Sequence, residues 1–299
     1  MLNITNNKTV LLGHIMTFIT IVIWSVAFVG NKILLDYITP IEVMIFRFSL
    51  AYVLLLMLYP KWKLPSSIKD EFFFLLLGFL GIFLYFLMEN FALQYTQASN
   101  VGVFMGAIPI FTALIAHLVI HDESLSSGLI IGFVVAMVGM VLILTESSGF
   151  TLRFRGDLLA LAGAVVFAGY SVALKLAPKS YHYIVVTRKS FLYGLLLMLG
   201  YQFLSGRSLN YQAIGITTVS VNVLFLGVFA SGLAFVLWNQ GIKRIGSISA
   251  SNYIYLVPLL TAITGIVVLD EVLTLKMVVG GALILIGLYL SQRKKQIVA

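Results

Sequence analysis

The chain has 299 residues, of which 61% are hydrophobic and only 10% charged, and it carries a formal net charge of +8. A soluble domain holds about 25% charged residues, and single hydrophobic cores stop growing near ~250–300 residues. A water-soluble globular protein is therefore excluded, and lipid must be the solvent. The sequence has no cysteine, which rules out disulfides, thiolate metal sites and Cys nucleophiles.

Ten apolar stretches reach the ~20 residues that a membrane helix needs. They cover residues 12–33, 41–59, 72–95, 99–120, 127–145, 157–176, 184–204, 219–241, 248–268 and 275–291. The expected fold is an all-α integral membrane protein with ten transmembrane helices. A closed β-barrel would alternate apolar and polar residues over ~10-residue strands, which these runs do not. The first stretch is too long for a signal-peptide h-region and has no small-residue cleavage site after it, so it should stay as the first span. With the N-terminus inside, thirteen of the nineteen basic residues fall on the cytoplasmic side: Lys8, Lys61, Lys63, Lys69, Lys175, Lys179, Arg188, Lys189, Lys243, Arg244, Arg293, Lys294 and Lys295. By the positive-inside rule both termini are expected in the cytoplasm of a multi-pass cell (inner) membrane protein. The basic balance is a topology signal and requires no nucleic-acid partner.

In chain order, the first span carries Trp24-Ser25 and Lys32. The second opens with Arg47-x-Ser49-x-x-Tyr52, followed by an apolar run. The third shows a stripe at helical spacing, Gly78, Gly81, Tyr85, Glu89 and Ala92, which shares one face. Small residues there let backbones approach closely. Glu89 is the acid placed well inside a span, where a charge costs ~2.5–3.5 kcal/mol. It is read either as holding a solute amine or exchanging a proton, or as a protonated or snorkelling side chain near the outer mouth. Asn90 follows it. The fourth span holds Gly102-x-x-x-Gly106, read as packing, and Pro109, which removes a helical hydrogen bond and frees a carbonyl. Thr112 stands near enough to re-satisfy that backbone. Asp122-Glu123 before Ser126 are read as caps of the fifth helix, which begins with a second packing motif, Gly128-x-x-x-Gly132.

The sixth span has Phe167-Ala168 and Tyr170, and the seventh repeats the second as Arg188-x-Ser190-x-x-Tyr193. The eighth answers the third with Gly227, Ala230, Ala234, Trp238 and Gly241, and Asn239 answers Asn90. The ninth contains Asn252, Tyr253, Tyr255, Pro258 and Thr261. Asp270-Glu271 before Thr274 cap the tenth. Trp24, Tyr85, Tyr170, Trp238, Tyr253 and Tyr255, with Asn90, Asn239 and Asn252, are the polar-tipped side chains available to a cavity wall. The alternative for any one of these rings is lipid contact or helix packing. Arg47 and Arg188 are read either as anion clamps at two gates, since guanidinium binds carboxylates bidentately, or as structural groups that snorkel or tie down loop carbonyls.

These matches make residues 1–150 a first five-helix repeat and residues 151–299 a second. Because five is odd, the second copy enters the membrane from the opposite side, and the two halves are expected to be inverted. Inverted repeats place a site near the midplane at their interface, and matched Pro interruptions point to it. Rocking of one half against the other would expose that site alternately.

Trp24-Ser25, Arg47 and the series Pro109…Glu123-x-Leu125-Ser126…Gly132…Gly139, repeated from Pro258 to Gly287, resemble the drug/metabolite transporter superfamily, in particular its EamA-like branch. The resemblance covers nearly the whole chain. It implies ten helices and, for many bacterial members, export of amino acids or related metabolites. The second half departs from the pattern where Phe167-Ala168 replaces Trp-Ser.

The expected activity is thus a secondary transporter and not an enzyme, exporting a small organic solute of the amino-acid class. Trp24, Tyr85, Glu89, Asn90, Pro109, Tyr170, Trp238, Asn239 and Pro258 are the candidate substrate-binding residues, with Arg47 and Arg188 as gates. Glu89 is the candidate for proton coupling. The four histidines, His14, His117, His121 and His182, form no metal-like cluster, and no cofactor is expected. No G-x-x-x-x-G-K-[ST] string provides for ATP hydrolysis. An intramembrane enzyme acting on a lipid or peptide is the alternative and would need clustered acids or histidines. A channel would need a continuous polar lining.

Overall fold

The computed structural model describes residues 2–61, 67–96, 98–120, 126–147, 153–178, 180–260, 263 and 274–292. Every regular element among them is helical. We number the helices α1 (Leu2–Leu34), α2 (Pro40–Leu58), α3 (Ile68–Tyr95), α4 (Ala98–Met105, then Ile108–Val119), α5 (Ser127–Ser147), α6 (Phe154–Lys175), α7 (Tyr183–Leu204), α8 (Thr217–Ile245), α9 (from Ser247–Ser251, through a 3₁₀ turn Asn252–Tyr255, to residue 260) and α10 (Leu275–Gln292). Within the described residues, eight of these, all but α5 and α9, are long and apolar enough to cross a membrane. The expected ninth span runs beyond residue 260, outside the described residues. So do Thr261, His121, Lys63, the acids at 122–123 and 270–271, and the basic residues at 293–295.

The solvent-facing chemistry of α1 is inside out. Leu11, Ile15, Phe18, Val22, Val26 and Val29 are exposed, whereas Thr17, Thr20, Ser25 and Asn31 are buried. Such a helix is stable only where its outer face meets lipid and its polar groups are satisfied within the protein. Thr17 and Ser25 do this by donating to the carbonyls of Gly13 (2.9 Å) and Ile21 (2.7 Å) one turn back.

The helix starts carry the signals expected of them. Thr39 and Glu42 form a capping box at α2. Ser126 and Thr274 accept from the N–H groups of Leu129 and Met277 at α5 and α10. Asp157 accepts from Thr96, Asn100 and the Arg153 N–H. Glu42 and Asp157 are buried acids that the sequence reading did not place inside the protein. Both sit in a first helical turn, where backbone donors and the helix dipole stabilise them. Glu89 is the buried acid far from a helix start.

Two irregularities recur at matched positions. The chain passes into π-helical turns at Gly78–Leu84 in α3 and at Leu226–Leu233 in α8. In the first, Gly78 lies against the backbone of Ser190 and Gly194, and Gly81 against the ring of Tyr170. The π turns displace the regular spacing assumed from the sequence, yet every member of both predicted stripes is buried. The second irregularity precedes the prolines: α4 breaks at Gly106–Ala107 before Pro109, and α9 tightens to 3₁₀ before Pro258.

α1 packs on α8, α3 on α6 and α7, α2 on α8 and α7, α4 on α6, and α5 on α10. Each of the three pairs followed residue by residue is antiparallel. In α5–α10, Gly139 abuts Gly280 and Gly132 abuts Gly287, so closely that a Cβ on Gly139 would lie 2.5 Å from the Gly280 carbonyl oxygen. In α1–α8, Gly13 meets Ile245 and Gly30 meets Asn222; in α3–α6, Gly156 meets Thr96 and Gly81 meets Tyr170. Gly106 packs on Met140, but a Cβ on Gly102 would touch nothing within 4 Å. The first residue of the expected Gly102-x-x-x-Gly106 packing motif is therefore not a close contact.

Gly139→Ala should lose about 1–3 kcal/mol through overpacking against backbone, whereas Gly102→Ala should be neutral or gain up to about 1 kcal/mol of helix propensity. Thermal unfolding of the detergent-solubilised variants checks both. Equal transitions for the two would contradict the seam.

Candidate functional site

Four helices bring charged and polar groups into the interior near the end where α1 and α3 finish and α2 begins. Arg47 lies about 10 Å along α2 from Pro40 and Glu89 about 9 Å back from Tyr95, at 1.5 Å per residue. They are 1% and 3% exposed. They make no direct ion pair among the described residues, because the amide of Asn31 stands between them. Arg47 Nη1 donates to Asn31 Oδ1 (3.2 Å), and Asn31 Nδ2 donates to Glu89 Oε1 (3.2 Å). Arg47 Nε donates to Ser231 Oγ of α8 (2.8 Å), and Tyr85 lines the same wall one turn before Glu89. The guanidinium also lies over the rings of Phe86 (4.7 Å) and Phe48 (5.2 Å), a cation–π contact that holds its plane. A guanidinium has five N–H donors, and among the described residues two are matched to protein acceptors.

This cluster forms one side of a cavity. The space admits the centre of a water-sized molecule over about 40 Å³, against ~10–15 Å³ for one water. It therefore holds a few waters or the head of a small solute. Asn31, Arg47, Tyr85 and Glu89 are its polar wall; Trp24, Ala27, Phe28, Phe86, Met105, Ile108, Phe167, Ile254 and Val257 complete it. Six of the apolar positions are matched pairs across the duplication: Trp24 with Phe167, Met105 with Ile254, and Ile108 with Val257. The last two pairs flank the helix interruptions. Pro109 and Pro258 have no N–H to give to the carbonyls of Met105 and Ile254, so both breaks open beside the cavity. The Trp24 indole donates to the Ala230 carbonyl (2.9 Å), within the π turn of α8.

The polar wall has no such twin. The position matching Glu89 is Trp238, fully buried against Trp24 (ring centroids 5.1 Å) and Phe167 (5.7 Å). Phe235 packs on Phe191 (5.4 Å), and Phe191 on Phe48 (5.2 Å). These rings close the interior on the far side of the cavity. Beyond Trp24 and Phe167, a second polar chain runs from the Tyr170 hydroxyl to Asn239 Oδ1 (3.2 Å) and from Asn239 Nδ2 to Thr187 Oγ1 (2.6 Å).

Arg188 differs sharply from Arg47. It donates to the carbonyls of Tyr59 (2.6 Å) and Lys61 (2.8 Å), fastening the chain that follows α2. His182 stacks on Tyr59 at 4.6 Å. Partial burial, then the charges of Lys243 and Lys61, holds its pKa below the ordinary imidazole value.

Of the predicted binding residues, the structure brings together Trp24, Tyr85, Glu89 and Arg47. Pro109 and Pro258 are buried just behind the cavity wall. Asn90 is fully buried but turns its amide to the Phe86 carbonyl (2.8 Å). Tyr170 and Asn239 belong to the separate chain, Trp238 seals the interior, and Arg188 lies at the opposite end. Tyr253 bonds His14 (2.9 Å), and Asn252 reaches the Ser291 carbonyl (3.3 Å). The sequence reading missed Asn31 and Ser231. Asn31 follows Gly30 near the end of the first span and was not singled out. Ser231 falls beside the stripe drawn at regular spacing, and the π turn re-aims this segment. A buried amide and hydroxyl next to small residues were the available signal.

The profile of the EamA-like transporter family matches residues 11–145 and again residues 154–292. An uncharacterized transporter of Archaeoglobus fulgidus is 28% identical over 299 residues, covering 97% of this chain and 99% of its own. One of Bacillus subtilis is 26% identical, covering 86% and 85%, and one of Clostridium kluyveri is 26% identical, covering 92% and 91%. A solved crystal structure superposes with a TM-score of 0.75 at 20% identity over 95% of this chain and 98% of the other, a likeness of fold. The twofold profile match, which takes in nearly every residue of an inside-out helical bundle, makes this chain a multi-pass membrane protein belonging to the EamA-like transporter family.

Proposed function

We propose that the chain exports a small zwitterionic metabolite, with amino acids as the class, by alternating access between two inverted five-helix repeats, residues 1–150 and 151–299. The observation that carries the site is the pair Arg47 and Glu89. Buried charges are tolerated when paired and hydrogen-bonded, yet these two are held apart by a neutral amide and face a cavity sized for a small head group. A solute with a carboxylate and an ammonium would complete both charges at once. Trp24, Phe167 and Phe86 would then take its apolar part, and the exchangeable proton of Glu89 would couple transport to the proton gradient.

Three features support inversion. The antiparallel pairings α1–α8 and α3–α6 exchange with each other under the repeat, and α2–α7 and α5–α10 map onto themselves. Six of the nine apolar cavity residues are matched positions. The π turns and Pro interruptions recur in both halves. For orientation, Lys61, Lys69, Lys175, Lys189, Lys243 and Arg244 lie at the end opposite the cavity. The positive-inside rule assigns that end to the cytoplasm of the cell membrane, with the cavity facing out. Arg188 we assign to structure and Arg47 to the solute.

Purified protein in liposomes with a pH gradient, tested against a panel of labelled amino acids, is the direct test. At least one amino acid should accumulate above protein-free liposomes. Arg47→Met should slow it by about 10–100-fold, the equivalent of losing one or two charged hydrogen bonds. A panel carried no better than by empty liposomes would sink the solute class.

Glu89→Gln keeps the shape and removes the titratable group. It should leave a protein whose rate no longer responds to the proton gradient. Unchanged transport with unchanged pH dependence in that variant removes Glu89 from coupling.

A further inference from the structure

At the end opposite the cavity, α3 and α7 are joined by a cluster of ionic and aromatic contacts. Lys189 Nζ lies 2.8 Å from Glu71 Oε2, with the side chains 15% and 30% exposed. The Tyr193 hydroxyl also donates to Glu71. The Lys189 ammonium stands over the Phe74 ring at 5.2 Å. One turn away, the Tyr181 hydroxyl donates to Asp70 Oδ2 (2.8 Å), and its ring meets Phe74 edge-on at 5.1 Å. α3 belongs to the first profile match and α7 to the second, so every one of these contacts crosses between the two copies.

The repeat supplies an internal control. The positions matching Asp70, Glu71 and Lys189 at the cavity end are Val219, Ser220 and Phe48. Ser220 only bonds back to the Thr217 carbonyl (3.1 Å). One end is therefore tied by an ion pair with a tyrosine bridge, and the other end has no ion pair at the corresponding place. The cavity lies toward the untied end.

We propose that the Glu71–Lys189–Tyr193 cluster is a one-ended latch. It holds the α3–α7 end shut and so sets the cavity-open arrangement as the resting state. It must part for the opposite arrangement to form. A half-exposed ion pair is weak alone, but a second donor on the same carboxylate strengthens it. Parting is then within reach of what a bound solute supplies. This inference rests on the alternating-access reading, but its test requires no solute.

The chain lacks cysteine, so a single introduced thiol is the only one present. Ala27 lines the cavity; Ala234 is fully buried and matches Tyr85, a cavity residue. In the opposite arrangement Ala234 would be exposed and Ala27 covered. Ala27→Cys and Ala234→Cys are each made in the full chain, placed in nanodiscs open to both faces, and timed for reaction with a small methanethiosulfonate.

Glu71→Gln should raise the Ala234→Cys rate about three- to tenfold and lower the Ala27→Cys rate. The swap Glu71→Lys with Lys189→Glu should return both rates toward the parent values, which also shows that the variants fold. Unchanged rates in Glu71→Gln overturn the latch. A faster Ala234→Cys with Ala27→Cys unmoved also overturns it, since that is local loosening. If the swap fails to restore the rates, the pair is not acting through its charges and the latch falls. Loss of the latch alongside intact transport in liposomes leaves the transport reading standing. Reciprocal rate changes in a protein that carries none of the solute panel support the latch and count against the solute class alone.

Discussion

A guanidinium and a carboxylate held among lipid-facing helices are cut off from bulk water. Each must find its partners inside the protein or in what the protein binds. Arg47 of α2 and Glu89 of α3 find some of theirs in Asn31 of α1 and Ser231 of α8. That requirement explains why α1, α2, α3 and α8 converge where they do. Beside Ser231, the π-helical turn of α8 presents the Ala230 carbonyl to the Trp24 indole N–H.

The cavity joins two kinds of surface with different origins. Six of its nine apolar residues are matched pairs from the two copies, so it lies across the axis that would relate them. Its polar wall, Asn31, Arg47, Tyr85 and Glu89, comes from the first copy. A duplicated ancestor supplies a symmetric space; divergence of single positions, Glu89 against Trp238 and Asn31 against Leu174, makes one side chemically active and fills the other. The ends of the bundle diverge in the same way, with Arg188 and Lys189 engaged in inter-helix contacts where the matching Arg47 and Phe48 face the interior.

Much of the fold was legible in the chain because its signals are local. Apolar run length marks the spans, and Ser126 and Thr274 cap helices as their position implies. Gly132, Gly139, Gly280 and Gly287 are small where two backbones meet. The prolines and the small-residue stripes lie around the cavity. The site was only partly legible. Tyr85, Glu89 and Trp24 were marked by chemistry unusual for a span, but Asn31 and Ser231 were not, and Asn90 was marked without belonging. Which way an amide points depends on helix rotation and on a π turn that shifts the phase of the residues after it.

From the residues alone, lipid is the only solvent that fits, the chain is a duplicated helical bundle, and two arginines stand at equivalent places in the copies. Composition and spacing decide those points, because they depend on transfer energies and on counting. The tertiary structure decided that the two arginines part company. Arg47 turns to Asn31, Ser231 and a cavity shared with Glu89, while Arg188 turns to the carbonyls after α2. The physical reason is that a guanidinium takes the partners its surroundings offer. The surroundings of identical motifs differ once single residues on neighbouring helices have diverged.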